Sequence, residues 1–152
     1  MGGTDELQRI LDESHDPGNP PPDELREIME SVRSIAVVGI SRNPDKAARR
    51  VPSYMADKGY EIIPVNPFVD QILGKIAKDR LEDVDEPVDM VLVFRPSAEA
   101  AEILTAASAR PERPVIWLQE GIQADPEASR SRSEGLKVVQ DLCVYKVHRA
   151  LD

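Results

Sequence analysis

Length, composition and charge narrow the class of protein. The 152 residues suffice for one domain with its own core, and 41% hydrophobic and 31% charged residues are typical of a globular protein. With 19 basic and 28 acidic residues the net charge is −9. Because such a surface repels phosphate backbones, we expect no nucleic-acid partner.

The sequence also argues against disulfide, metal and membrane chemistry. The single cysteine, Cys143, has no intramolecular partner and no metal-ligand spacing around it. No apolar run approaches the length of a membrane span, and the acidic, polar residues 1–16 are unlike a secretory signal. We therefore expect a cytoplasmic protein that binds neither a metal nor a membrane.

Two helical patterns precede the first strand pattern. They cover Thr4–Asp12 and Asp23–Ser31, and the proline-rich segment Asp16–Pro22 between them is predicted to be a loop or linker. We predict an N-terminal helical extension over residues 1–30 and a ligand-binding domain over residues 31–152.

Strand and helix patterns alternate through the rest of the chain. Buried-strand patterns cover Ser34–Val38, Glu61–Val65, Val88–Phe94, Val115–Leu118 and Leu136–Gln140, with a further short strand at Lys75–Ala77. Helical patterns run from about Val51 to Lys58 and over Ser97–Ala109 and Asp125–Glu134, with single turns at Leu81–Val84 and Tyr145–Leu151. This alternation predicts an α/β protein with a three-layer Rossmann-like fold and a mostly parallel sheet of about five strands.

Four short motifs each follow a strand pattern. They are Gly39-Ile40-Ser41, Asn66-Pro67, Arg95-Pro96 and Gln119-Glu120-Gly121. Because the carboxyl ends of parallel strands share one edge of the sheet, and ligands bind outside that edge, the motifs are predicted to converge on one site.

The first loop has features of a phosphate-binding turn. It lies where a dinucleotide fingerprint would, but it lacks the Gly-x-Gly-x-x-Gly pattern; Gly39 permits a sharp turn. Four cations follow within nine residues: Arg42, Lys46, Arg49 and Arg50. Pro52 favours a helix that begins near Val51, which would leave residues 42–50 as a basic loop. Either phosphate binding or a solvated charge run accounts for such a loop.

The other motifs bear on the type of ligand. Asn66 stands where an NAD-binding domain usually has Asp or Glu, so NAD is disfavoured, whereas NADP stays open through the nearby arginines. Arg95 can reach a phosphate or carboxylate, the Gln119 amide can read a polar ligand edge, and Gly121 allows close backbone approach.

Taken together, these blocks resemble the small stand-alone CoA-binding proteins, which are similar to the CoA-binding domain of the succinyl-CoA synthetase alpha subunit. The matching blocks are Val38–Pro44, Gly59-Tyr60 with Pro64–Pro67, Asp89 with Phe94–Pro96, Trp117–Ile122, and Cys143. The resemblance covers about residues 31–151 and implies coenzyme A or an acyl-CoA as the ligand.

The resemblance also implies which residues bind. They are Gly39, Ile40, Ser41, Arg42, Pro44, Lys46, Asn66, Pro67, Phe94, Arg95, Pro96, Gln119 and Gly121. Lys46 stands where the family usually has Arg. Three positions depart further from the family: Ala48 replaces a usual Ser, Phe68 stands where a basic residue is common, and Val147-His148 replaces a more typical acidic position.

No catalytic residue is predicted. The synthetase subunit uses a phosphorylated histidine of a second domain, whereas His15 and His148 lie outside the strand-end motifs here. Cys143 is near His148 in sequence, but a buried structural cysteine is favoured. The preferred interpretation is a non-catalytic CoA-binding protein with an unknown protein partner. The alternatives are an NAD(P)-dependent oxidoreductase, an acyl-CoA-processing enzyme, or an interaction module that has lost its ligand.

Overall fold

A computed structural model describes residues 2–152 of the chain, with side chains from Asp5 onward. The helices are α1 (Gly2–Glu13), α2 (Pro22–Ser31), α3 (Ala47–Asp57), α4 (Ser97–Ser108), α5 (Asp125–Ser133) and α6 (Val144–Leu151). The strands are β1 (Ser34–Val38), β2 (Glu61–Val65), β3 (Gln71–Ile72), β4 (Lys75–Ile76), β5 (Met90–Val93), β6 (Val115–Leu118) and β7 (Val138–Val139). A short 3-10 turn covers Leu81–Asp83.

Five strands form one parallel sheet in the order β2-β1-β5-β6-β7. In the centre, Ile35 of β1 is paired with Ile62 of β2 on one side and with Met90 of β5 on the other. The continuous apolar runs account for this arrangement, since a strand covered on both faces needs no polar side. The predicted α/β, Rossmann-like fold is therefore confirmed.

Side chains alternate between two hydrophobic cores, one on each face of the sheet. Val37, Leu92 and Trp117 point to a core shared with α1, α2, α3 and α6. Val91 and Ile116 point to the opposite core, shared with α4 and α5. The result is a three-layer molecule whose carboxyl strand ends open between the helix layers.

The predicted strand at Lys75–Ala77 lies outside the main sheet. Its residues Lys75–Ile76 pair antiparallel with Gln71–Ile72 as a separate hairpin. Leu73 and Gly74 both have positive φ values, 51° and 73°, which form the tight turn that joins two antiparallel strands. This hairpin lies between β2 and the 3-10 turn.

Helix α3 begins earlier than predicted, at Ala47, and Pro52 lies inside it. A proline inside a helix leaves the carbonyl four residues earlier without its usual donor. Here that carbonyl belongs to Ala48, and the backbone N–H of Ser41 donates to it over 3.1 Å. The prediction of a basic loop over residues 42–50 was therefore wrong in extent: the loop ends at Lys46, and Arg49 and Arg50 lie in the first turn of α3.

The described part of the N-terminal segment packs on the sheet. Leu7 of α1 and Leu25 and Ile28 of α2 are fully buried in the first core. Asn19, in the proline-rich segment, accepts from the backbone N–H of Gln140 and donates to its carbonyl, over 2.8 Å each. The boundary between residues 30 and 31 stays a prediction. None of the helices within residues 2–152 is long and apolar enough to cross a membrane.

Candidate functional site

The carboxyl ends of β1, β2 and β5 surround a cavity of about 390 Å³, which we call the first cavity. Its apolar wall comes from two strands, the 3-10 turn and α4: Val38, Val65, Leu81, Ile103 and Ala106. Of the predicted site residues, Gly39, Asn66, Pro67 and Arg95 line it. Three of the four strand-end motifs thus meet at one place.

Gly39 turns the chain at the end of β1. Its φ of +89° is a conformation that side-chain-bearing residues rarely adopt, and its N–H donates to Val65 of β2 over 3.0 Å. The Arg95 side chain crosses directly above it: a Cβ at residue 39 would lie 2.7 Å from Arg95 Cδ and 3.3 Å from the Phe94 carbonyl carbon. Glycine is therefore required both by the turn and by the close approach of the next strand end.

Asn66 ties the loops after β1 and β2 together. Its Nδ2 donates to the buried Ile40 carbonyl over 2.7 Å, and its Oδ1 accepts from the Phe68 backbone N–H over 2.7 Å. Both ends of the amide are therefore engaged within the protein. Asn66 therefore positions the loops, and one Nδ2 hydrogen and one Oδ1 lone pair remain for a further partner.

The loop after Gly39 is ordered by its own side chains. Ser41 Oγ accepts from the Asn43 backbone N–H over 3.0 Å, and Asn43 Oδ1 accepts from that of Asp45 over 2.9 Å. The side chains of Arg42, Pro44 and Lys46 are exposed, and Lys46 is the residue immediately before α3. The loop therefore presents two cations and one anion, the exposed Asp45, at a helix amino end, where anions are favoured.

The rim of the first cavity is acidic overall. Its ionisable side chains are Asp79, Arg80, Glu82, Arg95, Glu99 and Glu102, four acids against two bases. Arg95 is already paired with Glu99, at 2.7 Å from Nη2 to Oε2. Phosphate groups are therefore disfavoured inside this cavity and favoured at the neighbouring basic loop.

The fourth motif lies at the end of β6, beside a second cavity of about 390 Å³. Gln119 is buried, and its Oε1 accepts from the Val144 N–H over 2.8 Å, so it caps the start of α6. Gly121 has φ +85° and lines the second cavity. Phe94 is half-buried against the first core and Pro96 is exposed just before α4.

Asp141 organises the second cavity. Its Oδ1 accepts from the Gly121 N–H over 2.6 Å, and its Oδ2 lies 2.8 Å from the His15 backbone nitrogen and 2.9 Å from His15 Nδ1. Burial opposes ionisation of this carboxyl, but the donated hydrogen bonds outweigh burial and lower its pKa. His15 is thereby held at the carboxyl edge of the sheet.

Cys143 and Lys146 complete the second cavity from the start of α6. Cys143 is buried and reduced, as predicted, with 9% of its surface exposed. A hydrogen bond of 3.1 Å to Glu120 raises the pKa of Lys146. No local pattern indicates the place of His15, because the proline-rich segment beside it has the composition of a loop or linker.

His148 faces a different part of the molecule. Its Nδ1 lies 2.9 Å from the Tyr54 hydroxyl, and its ring packs edge-on against Tyr54 and Tyr60. Burial lowers its pKa. Cys143 and His148 therefore line separate cavities and do not form a pair. Among the described residues, no group of three or more His, Cys, Asp or Glu side chains is placed to hold a metal ion.

Comparison with known proteins identifies relatives along most of the chain. A family model described as a CoA binding domain matches residues 33–149. Protein YneT of Bacillus subtilis (strain 168) is 39% identical over 134 residues, which are 86% of this chain and 96% of YneT. The solved structure of Thermus thermophilus protein ID.343 has a TM-score of 0.80 at 35% identity and covers 88% of this chain and 100% of that chain. A protein from Pyrococcus horikoshii OT3 has a TM-score of 0.84 at 26% identity, with coverage of 92% and 99%.

Proposed function

Because the chain belongs to the CoA binding domain family, we propose that it binds coenzyme A or an acyl-CoA at the carboxyl edge of its sheet and catalyses no reaction by itself. The observation that carries the proposal is the opposition of charge at this edge. An acidic, partly apolar cavity lies beside an exposed basic loop at the start of a helix.

This charge pattern suits a ligand with an uncharged base at one end and phosphates next to it. The apolar wall of the first cavity can take the adenine ring, and its acids can accept hydrogen bonds from amino and hydroxyl groups. Arg42, Lys46 and the amino end of α3 can neutralise the phosphates. Arg95 lies between the first cavity and the basic loop, above the Gly39 turn.

The second cavity can accept the pantetheine arm. It lies at the ends of β6 and β7, next to β5 in the sheet. Both cavities open at the carboxyl ends of the strands, the first against α4 and the second against α1 and α6, so a ligand that fills both must cross this edge of the sheet. A long ligand that starts in the first cavity can reach Gly121 without leaving this edge.

Calorimetric titration with CoA and NAD tests the proposal. We expect CoA to bind more tightly than NAD, because the turn lacks the dinucleotide glycines and Asn66 stands where an NAD-binding domain usually has an Asp or Glu that binds the ribose. Equal or tighter binding of NAD would overturn the proposal and favour the oxidoreductase alternative.

The basic loop is tested by removing two charges. Charge-assisted hydrogen bonds contribute about 1.5–3 kcal/mol each, and exposed ones less, so Arg42→Ala with Lys46→Ala should weaken CoA binding roughly 10- to 100-fold. The matched control is Arg33→Ala with Lys137→Ala, which removes two exposed charges that precede β1 and β7 at the other edge. Equal losses in both double variants would mean that only net charge matters.

One observation favours the acyl-CoA-processing alternative. Cys143 and His15 line the same cavity, and Asp141 holds the imidazole. The thiol is not activated in this arrangement, because no hydrogen bond joins His15 to Cys143 in the described part of the chain, although the bond from Nδ1 to Asp141 leaves His15 Nε2 free. An acyl-CoA hydrolysis assay distinguishes the two candidate functions. We expect no turnover by the wild type. Turnover that each of the single substitutions Cys143→Ser and His15→Ala abolishes would establish an acyl-CoA-processing enzyme.

A further inference from the structure

Phe68 is a large apolar side chain that the fold leaves in water. It is 87% exposed, and among the described large hydrophobic residues only Ile76, at 72%, is comparable. Phe68 lines the mouth of the first cavity, whereas Ile76 does not. An exposed aromatic ring at the mouth of a partly apolar cavity is available for contact with whatever enters it.

The backbone holds Phe68 at this place. Its N–H is bound by Asn66 Oδ1 over 2.7 Å, and the same Asn66 is bound to the Ile40 carbonyl after β1. Pro67 fixes the φ angle between them. The ring is therefore carried on a turn that is fastened to two strand ends, and little further ordering is needed when a ligand binds.

The surfaces around Phe68 suit a flat heteroaromatic ring. Ile103 and Ala106 of α4 and Leu81 of the 3-10 turn form the apolar side of the cavity. Glu82 and Glu102 supply carboxylate oxygens at the rim, which can accept from an exocyclic amino group. A flat ring with apolar faces and a polar group at its edge matches this lining.

We propose that Phe68 is a specificity-determining residue that stacks on the adenine ring of the ligand and closes the first cavity over it. The inference rests on the proposed CoA binding, to which it adds the residue that recognises the base. Replacing an aromatic residue that stacks on a base by alanine lowers the affinity roughly 5- to 150-fold.

Calorimetry with the full chain tests this inference with two probes, CoA and 4′-phosphopantetheine, which lacks the adenosine. Phe68→Ala should weaken CoA roughly 5- to 150-fold and leave 4′-phosphopantetheine unchanged. Phe68→Tyr keeps the ring and should bind CoA as the wild type does. Ile76→Ala, the matched exposed residue on the hairpin, should change neither.

Each outcome bears on one of the two proposals. Wild-type binding of CoA that survives Phe68→Ala overturns the stacking and leaves the proposed function standing. If wild type does not bind CoA, the proposed function falls, and titration with ADP then decides on Phe68. ADP binding that Phe68→Ala weakens supports stacking on a base, whereas unchanged or absent ADP binding overturns it.

Discussion

A single added methyl group tests whether the turn after β1 borders the ligand. Gly39→Ala places a Cβ at a residue whose φ is +89°, a conformation that costs an L-residue about 1–2 kcal/mol. The same Cβ would lie 2.7 Å from Arg95 Cδ, so the arginine must also move. For a chain of this length we expect the midpoint of thermal unfolding to fall by roughly 2–8 °C.

Gly59→Ala is the matched control. Its φ is +98°, so alanine pays a similar backbone cost, but no atom lies within 4 Å of the added Cβ. Gly59 separates α3 from β2 at the opposite edge of the sheet. Both variants should therefore lose stability, and only Gly39→Ala should lose CoA affinity, since only there does Arg95 have to leave the cavity mouth.

Circular dichroism during heating measures the stability, and calorimetry measures CoA binding. Equal CoA affinity of Gly39→Ala and Gly59→Ala would contradict a role for Arg95 at the site, because the displaced arginine would then have no part in binding. Unfolding of Gly39→Ala at the wild-type temperature would contradict the expected cost of a side chain in the left-handed turn.

Three further changes probe the groups that hold the carboxyl edge and the two cores. Asp141→Asn keeps a residue that tolerates the φ of +54°, and loss of the charged acceptor should cost about 1–3 kcal/mol at pH 7. Because the pKa of Asp141 is lowered from 3.8, its contribution is complete above that pH and is lost as the pH falls through the folded value, so the gap between variant and wild type should close in acid. His148→Gln should flatten the decline in stability below about pH 6.5, because burial lowers the pKa of His148 and protonation therefore favours the unfolded chain. Trp117→Phe removes the donor that lies 2.8 Å from the buried Leu142 carbonyl and should cost about 1–3 kcal/mol in urea unfolding.

Each of these three predictions has an outcome that would contradict it. A difference in stability between Asp141→Asn and wild type that is the same at pH 3 and pH 7 would show that the negative charge of Asp141 does not contribute to stability. A His148→Gln profile parallel to that of wild type between pH 7.5 and pH 5 would remove the histidine from the pH dependence. Ile76→Ala, at an exposed position, serves as the control for stability. If Trp117→Phe lowers the free energy of unfolding no more than Ile76→Ala does, the hydrogen bond from Trp117 to Leu142 does not contribute to stability.

The sheet could be predicted because its signals are local. The strand β6 is found at Val115–Leu118 as its apolar run predicts, and β1 and β2 have the predicted bounds as well. Burial on both faces makes each run apolar throughout, and a parallel order follows from the intervening helices. A short strand at Lys75 was predicted, but its pairing with Gln71–Ile72 was not, because a two-residue strand shows no periodicity that separates the main sheet from a side ribbon.

The side-chain contacts of the site could not be predicted, because they depend on residues that are distant in sequence. His15 and Asp141 are separated by 126 positions, and nothing near either residue signals the other. Asn66 is predicted as a ligand contact from its place after β2, whereas its bonds to the Ile40 carbonyl and the Phe68 N–H, which hold the two loops together, have no local sequence signal. Strand ends predict where a site lies; they do not predict which of their polar atoms remain free.

Pro52 affects both the predicted start of α3 and the loop that precedes it. The rule that proline starts a helix placed the start of α3 near Val51, whereas the helix begins one turn earlier. The turn gained at the front moves Arg49 and Arg50 out of the loop, and the carbonyl that the proline leaves free binds Ser41. The residue that breaks the regular bonding of the helix thus fastens the loop that precedes it. The position of the two remaining loop cations, Arg42 and Lys46, therefore depends on a proline outside that loop.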